Sequence, residues 1–502
     1  MALLRMCSCA VVAAALAVAG CGGSGAPDGP PPPPPLPIAT VTGLDHRPPE
    51  SFSLAFLLTD GTVMVQGDAA SRPGTTVSAW YKLTPDAFGS YVHGSWSQLA
   101  SLPAGYVPYA YASAVLADGR VVIVGGEYNQ GLFTLSAQGA VYDPRLDHWT
   151  LLNPPAGWDY IGDIPAVVLP DGRFLVGRKL DEQMAALDPL TLTWTALAAT
   201  NKSDFNAEEG WTLMPDGSVF TYDVKNAPHA ERYLPDVQQW VSNGNTIPDL
   251  HAPTDKPNGL TYGPFGSLIY FPPGEVGPGL LLPDGTVFAS GTHTAIYSPG
   301  ADSLAPGSWR AGPDFPNGDS DNDTGAVLLP SGHVLLQGIA SGQLYEFDGV
   351  RLTAVENVKA IVLLTLPDGN ALVYGPSGPE IYQPQGRAQA AWAPTLLNYP
   401  AVVTRGASYT LEGTQFNGLS QGASYGDEFE TATNYPLVRL TNVASGHVVY
   451  ARTHDHSTMG VATGSALVST HFDVPGTVEV GTTSLEVVAN GIASTAVTIS
   501  VN

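Results

Sequence analysis

The chain has 502 residues, with 45 acidic against 20 basic side chains and a formal net charge of −25. That balance excludes nucleic-acid binding and docking on anionic lipid through a basic patch, both of which need clustered Lys and Arg. Charged residues make up only 13%, hydrophobics 44%, and 56 Gly with 44 Pro mark a turn-rich, folded, mostly β chain.

The amino terminus reads as an address. Cys7, Cys9 and Cys21 are the three cysteines. Arg5 precedes an apolar run from Cys9 to Gly20, which is too short for a stable membrane anchor and suits a signal peptide. The run ends in Val18-Ala19-Gly20-Cys21, which resembles the lipobox of bacterial lipoproteins. The resemblance implies cleavage after residue 20 and lipidation of Cys21; Gly22 resembles lipoproteins sent to the outer membrane. Residues 21–38 then form a Gly/Pro-rich tether, and its unbroken Pro30–Pro35 run favours extended polyproline II. The expected location is the bacterial cell envelope, with membrane contact through the lipid alone.

A turn signal recurs along the next 350 or so residues. Its copies are Leu58-Thr59-Asp60-Gly61, Leu116-Ala117-Asp118-Gly119, Leu169-Pro170-Asp171-Gly172, Met214-Pro215-Asp216-Gly217, Leu282-Pro283-Asp284-Gly285, Leu329-Pro330-Ser331-Gly332 and Leu366-Pro367-Asp368-Gly369. They are spaced 58, 53, 45, 68, 47 and 37 residues apart, near the period of kelch repeats. Apolar runs flank each one, so each is a hairpin turn in which Asp and Gly tolerate positive φ. A tyrosine strand (Tyr81, Tyr142, Tyr233, Tyr297, Tyr345, Tyr382) and a tryptophan strand (Trp96, Trp149, Trp194, Trp240, Trp309) bring most units to four strands. The aromatics are expected to pack between blades. Seven units predict a seven-bladed β-propeller over 39–392. Its last blade lacks a fourth strand, which Ala39–Leu44 is expected to supply.

From 393 to 502 the repeat stops and short β runs follow: Ala401–Thr404, Ser408–Leu411, Leu437–Leu440, His447–Ala451, Ser484–Val488 and Ala496–Val501. They suit an Ig-like sandwich, so the fold class is all-β. Leu364-Thr365-Leu366-Pro367-Asp368-Gly369 and Val487-Val488-Ala489-Asn490-Gly491-Ile492 resemble the last blade and the final "early set" domain of the galactose oxidase and glyoxal oxidase family. Thr433-Asn434-Tyr435-Pro436 and His456-Ser457-Thr458-Met459-Gly460 resemble a bacterial kelch-lipoprotein branch of it. The family's chemistry implies a copper ion held by two Tyr and two His, one Tyr carrying a Cys thioether. No cysteine follows Cys21. The family's adjacent Tyr and His ligands fall at Lys359 and Ala360, so copper is not expected. His447, His454 and His456 are the candidates for the second family His.

In each repeat the residues seven to nine before the turn should ring one mouth of the channel. They are Tyr109, Asp163, Glu208 with Glu209, Glu275, Asp321 and Asp323, and Lys359. Converging carboxylates leave three readings open. They can bind a hard cation such as Ca²⁺, with Asp319-Ser320-Asp321-Asn322-Asp323 resembling a calcium loop that lacks its Gly and its final Glu. They can serve as acid and base on a glycan, or form a solvated rim. His454 and His456 share a strand face and form a weaker metal pair. The expected function is a surface-anchored binding module for a glycan or cation at an acidic mouth; the alternatives are a carboxylate-based glycan-active enzyme and, less favoured, a copper oxidase. Cys21→Ser should shift the protein from the membrane to the soluble fraction in cell fractionation; unchanged membrane retention would contradict the lipid anchor.

Overall fold

A computed structural model describes residues 39–252, 275–424 and 430–502, together with the backbone of 260–262 and 268–270. Cys7, Cys9, Cys21, the apolar leader and the proline tether lie outside the described residues. Residues 38–502 form one compact unit.

Among the described residues, seven antiparallel sheets follow the repeat, six of four strands and one of four strands with a fifth added from later in the chain. Their first strands are Phe52–Leu57, Ala112–Val115, Ala166–Val168, Thr212–Leu213, Gly279–Leu281, Ala326–Leu328 and Val362–Thr365. We number the sheets 1 to 7 in this order. First strands pack on one another between sheets 2 and 3, 4 and 5, 5 and 6, 6 and 7, and 7 and 1, an arrangement consistent with a β-propeller. The first two strands of every sheet are almost wholly buried, so their side chains are apolar on both faces. The fourth strands are largely exposed, and they alternate polar with apolar residues.

The recurring turn explains its own sequence. Gly61, Gly119, Gly172, Gly217, Gly285, Gly332 and Gly369 all have φ between +75° and +89°, where a Cβ is strained. The aspartates do not share that conformation. Their Oδ1 atoms instead accept the backbone N–H two residues on, from Thr62, Arg120, Arg173, Ser218, Thr286 and Asn370. Ser331 takes the same place in sheet 6, where its Oγ lies 3.4 Å from the N–H of His333. Both turn residues tolerate positive φ, but only the glycine uses it: Gly supplies the backbone shape, Asp an acceptor.

Sheet 7 is completed from the other end of the described chain. Thr40–Gly43 pairs antiparallel with Gly378–Gln383, Thr40 opposite Gln383, which closes the ring and covers an edge. Tryptophans fasten neighbouring sheets. Trp149 Nε1 donates to the carbonyl of Ala100, Trp194 to Asn153, Trp309 to Asn243 and Trp96 to His46, each on the neighbouring sheet or just beyond its last strand. Tyr142, Tyr233 and Tyr297 stand directly opposite Trp149, Trp240 and Trp309 in the ladder, with ring centroids 5.0–5.3 Å apart.

After Ala393 two sheets share one core of Val403, Leu411, Phe416, Leu440, Phe472, Leu485 and Ile499. One runs Thr395–Asn398, Ser408–Thr414, Val468–Asp473, Thr453–His454; the other is built on Leu437–Asn442, Gly481–Ala489 and Val497–Val501. This part sits on the turn ends of the repeat. Arg452 donates to the carbonyl of Asp118, Thr453 N–H to Thr59, and Met459 N–H to Pro170. A segment of it also enters the axis. Ala423–Ser424 pairs with Ala326–Val327 of sheet 6, Gln421 accepts from Leu213 N–H of sheet 4, and Ser113 of sheet 2 donates to the carbonyl of Glu430. Burial alone pushes the Glu430 carboxyl well above the usual range.

A methyl group added at Gly285 would meet nothing within 4 Å, yet φ is +85° there. Gly285→Ala should therefore cost about 1–2 kcal/mol from backbone strain alone, read as a lower urea midpoint. An unchanged midpoint would show that the turn does not require the left-handed conformation.

Candidate active or binding site at the channel mouth

The ends of the first strands away from the turns carry the segments that build the mouth. Asp163 lies just before Ala166–Val168 and is 5% exposed. Lys179 follows Phe174–Gly177, the second strand of the same sheet, and is fully buried. Its Nζ lies 2.5 Å from Asp163 Oδ1 and 2.7 Å from Glu208 Oε1. Gly162 makes this approach feasible: its φ is +91°, and a Cβ there would press within 3.0–3.1 Å of the Lys179 side chain. Glu208 reaches the same lysine from the loop before sheet 4, with φ at +60°. Glu275 precedes sheet 5 and Asp323 precedes sheet 6; the Asp323 N–H donates to the carbonyl of Val276, which ties the two segments together.

Asp163 and Glu208 thus pair directly with one buried ammonium, and Glu127, Glu275 and Asp323 stand near enough to feel its charge and that of the two paired carboxylates. Burial pushes Glu127 up to about 7, with the Asp163 charge adding to it and Lys179 opposing. Burial and the Glu208 charge raise Glu275 to about 7. Asp163 rises to about 6 through burial, Lys179 opposing and Glu208 adding. Asp323 is raised well above the ordinary range by burial and by Glu275, Glu208 and Asp163. Near neutral pH the mouth therefore holds both carboxylic acids and carboxylates, that is, donors as well as acceptors.

Tyr109 stands beside this group. It pairs with Tyr128 across a short ladder, ring centroids 6.2 Å apart, and Tyr128 hydrogen-bonds Glu127. The structure brings together Asp163, Glu208, Glu275 and Asp323 as the spacing predicts, with Tyr109 beside them. Glu127 and Lys179 were not foreseen. Glu127 lies after the second strand of sheet 2, eight residues beyond its turn, and Lys179 lies seven beyond the turn of sheet 3. The offset used in the sequence looked only before each turn, whereas the second strand returns to the same mouth.

Other candidates go elsewhere. Glu209 points away from Glu208 and is buried with Lys202, whose Nζ is 2.9 Å from Glu209 and 2.7 Å from Glu231. Burial alone would lower Lys202, but Glu209 and Glu231 hold it charged. Asp321 is fully buried against Gly277 and Ser290, and burial drives its carboxyl up. Asp319 accepts from Ser341 and from the Tyr345 hydroxyl at 2.9 Å. Asp319, Asp321 and Asp323 therefore take three separate sets of neighbours and do not form the calcium loop their spacing suggests; Asp323 has φ +55°, which breaks the alternation that would put them on one face. Lys359 ends the outer strand of sheet 6, exposed, with Nζ donating to the carbonyl of Ser341.

The residues present do not fit the family's copper. Lys359 is engaged by Ser341, and Ala360 is buried with no donor atom. His454 and His456 belong to the carboxyl-terminal sheets, where the backbone N–H of His456 donates to Ala117 on the turn side, away from the mouth. His456 is buried, bonds Thr470 through Nδ1, and is held neutral by burial, its pKa lowered to about 3. It does not share a site with His454, which bonds Asp455 and Asp473 instead.

No family model matches the chain. A kelch-like protein, terF, from Aspergillus terreus is 28% identical over 130 residues, 25% of this chain and 26% of that protein, so the match spans about a quarter of the relative's length. Among solved structures, a fungal alcohol oxidase of the AA5 family in complex with copper is similar at a TM-score of 0.48 and 12% identity, over 92% of this chain and 98% of that one. A streptogramin B lyase is similar at 0.41 and 12%, over 70% and 98%. The extracellular domain of a one-component system from B. thetaiotaomicron is similar at 0.41 and 10%, over 90% and 56%. At these values the likenesses carry no argument about activity.

The mouth fixes a sign for pH dependence. Glu127 and Glu275 have folded values near 7, above the ordinary carboxyl value of 4.5. Their contribution is complete below the unfolded value and is lost as pH rises through about 7. Thermal stability should therefore fall between pH 5 and 8, by roughly 1–3 kcal/mol. The double variant Glu127→Gln, Glu275→Gln should flatten that slope, and Lys179→Met should steepen it. Melting curves across this range check both; parallel slopes in all three proteins would contradict the shared-proton cluster.

Proposed function

We propose that the chain is a surface-anchored binding module, a seven-bladed kelch-type propeller with an Ig-like early set domain, whose acidic mouth takes a glycan. The observation that carries the reading is the group of carboxyl side chains gathered near Lys179, of which Glu127, Asp163 and Glu275 are raised to about 6 to 7 and so stand between acid and carboxylate near neutral pH. Such a set offers donors and acceptors to a ring of hydroxyl groups. A bare hard cation suits it less. Ca²⁺ wants about six to eight oxygens at one centre, while the described residues whose ligand atoms gather within 4.8 Å lie outside the mouth. The cluster's single cation is already supplied by Lys179. The lipidated Cys21 and the proline tether would hold this mouth at the surface of a bacterial envelope.

One observation favours a second reading. Glu127 and Glu275, each near 7, stand in one cluster with Asp163, near 6, so a general acid and a carboxylate partner are both at hand. That is the equipment of a carboxylate-based glycan-active enzyme.

Calorimetry with a panel of neutral oligosaccharides and with Ca²⁺ alone separates these readings. The module should bind an oligosaccharide without cleaving it, and the double variant Glu208→Gln, Asp323→Asn should weaken binding at least tenfold with the fold intact. Release of reducing ends from a polysaccharide, lost in Glu127→Gln, would establish the enzyme instead. Binding of Ca²⁺ alone, or affinity unchanged in the double variant, would overturn the glycan mouth.

A further inference from the structure

Away from the mouth, the carboxyl-terminal part carries a second constellation. His454 and His471 face each other directly across the short ladder between Thr453–His454 and Val468–Asp473. Their rings are near parallel, at 19°, with centroids 5.6 Å apart. Asp455 Oδ2 lies 2.8 Å from His454 Nδ1. One ligand atom from each of His454, Asp455 and His471 lies within 4.8 Å of the other two. His471 Nδ1 is buried and has no hydrogen-bond partner among the described residues, a cost the fold would not ordinarily carry.

The surroundings supply what a ligating imidazole needs. His454 meets Asp473 Oδ1 through its other nitrogen, Nε2, at 3.1 Å, and Asp473 is held by Arg452 Nη1 at 3.2 Å. A carboxylate on the far nitrogen fixes the tautomer and aims the near nitrogen, as in carboxylate–histidine–metal sites. We propose that His454, Asp455 and His471 hold a divalent transition-metal ion of the Zn²⁺ type. Two imidazoles and a carboxylate suit such an ion, with a fourth position left for water. Asp455 is half exposed, so the ion has an entry path. The set differs from the His454 and His456 pair that the sequence suggests, because His456 turns inward to Thr470. The site lies where residues 452–456 rest on the Ala117–Asp118 turn of sheet 2. An ion there would brace the contact between the carboxyl-terminal sheets and the propeller.

A rival cluster carries less. Asp204, Glu209 and Asp223 also gather within 4.8 Å, but Lys202 Nζ already bridges both oxygens of Glu209 at 2.9 and 3.1 Å, so a cation is built in.

The test uses the full chain stripped with a chelator. Titration with Zn²⁺ against a chromogenic chelator should give one site per chain, and Co²⁺ should give the visible absorption of a four-coordinate nitrogen and oxygen site. Zn²⁺ should raise the melting temperature by several degrees through linkage. Asp455→Asn, at a half-exposed position, and His471→Gln should each weaken Zn²⁺ at least tenfold and remove the thermal shift. His447→Gln, on another face of the same sheets, should change neither. Zn²⁺ binding unaltered by Asp455→Asn, or abolished by His447→Gln alone, would overturn the assignment.

Discussion

The seven repeat turns, six Asp-Gly and one Ser-Gly, impose direction on the whole molecule. Each glycine at φ near +80° reverses the chain in a fixed way, and the aspartate before it, or Ser331 in sheet 6, accepts the N–H two residues later. Every first strand is thereby pinned at one end in the same sense. The opposite ends must then converge, and whatever residues precede the first strands or follow the second are delivered to a common place. That is why side chains from residue 127 to residue 323 meet around Lys179. The mouth is a geometric consequence of a turn that lies at the far end of the strands.

The same constraint makes the turn ends a platform. They are the surface on which the carboxyl-terminal sheets rest, through Arg452 on Asp118 and Met459 on Pro170. The Ala423–Ser424 strand adds to sheet 6 inside the axis, while Gln421 and the carbonyl of Glu430 reach sheets 4 and 2. The inner strands expose backbone groups toward the axis, and an inserted segment satisfies several of them where water would otherwise be required. The propeller and its terminal sheets are thus one packed unit.

Much of the fold was legible because turns repeat. The Asp-Gly signal, Ser-Gly in sheet 6, marks every sheet, and the missing fourth strand of the last one points to Ala39–Leu44, where Thr40–Gly43 pairs with Gly378–Gln383. The aromatic positions were legible too, since only large rings at fixed ladder positions fasten one sheet to the next. The site was half legible. Asp163, Glu208, Glu275 and Asp323 follow from counting back from the turn. Glu127 and Lys179 require counting forward, which a hairpin makes equivalent. Glu209 and Asp321 mislead because neighbouring residues on a chain with positive φ, at Glu208 and Asp323, do not keep strand alternation. His471 escaped because Val468–Asp473 alternates Ser, His and Asp with Val, Thr and Phe, and its polar face hides a strand of the core.

Two buried lysines show how an acidic chain arranges its interior. Lys202 lies over the ring of Trp240 and between Glu209 and Glu231, enclosed on all sides. Its carboxylates have no route to a ligand, and the cluster is a structural tie between the loop before sheet 4 and that sheet's third strand. Lys179 is equally buried, but beside its partners Asp163 and Glu208 its charge also acts on Glu127, Glu275 and Asp323, and Glu208 and Glu275 retain some exposure. One ammonium cannot neutralise five carboxyl groups, so protons remain on several of them at neutral pH. The difference between a closed ion cluster and an open, proton-sharing one is what separates a structural element from a site able to exchange hydrogen bonds with a bound molecule.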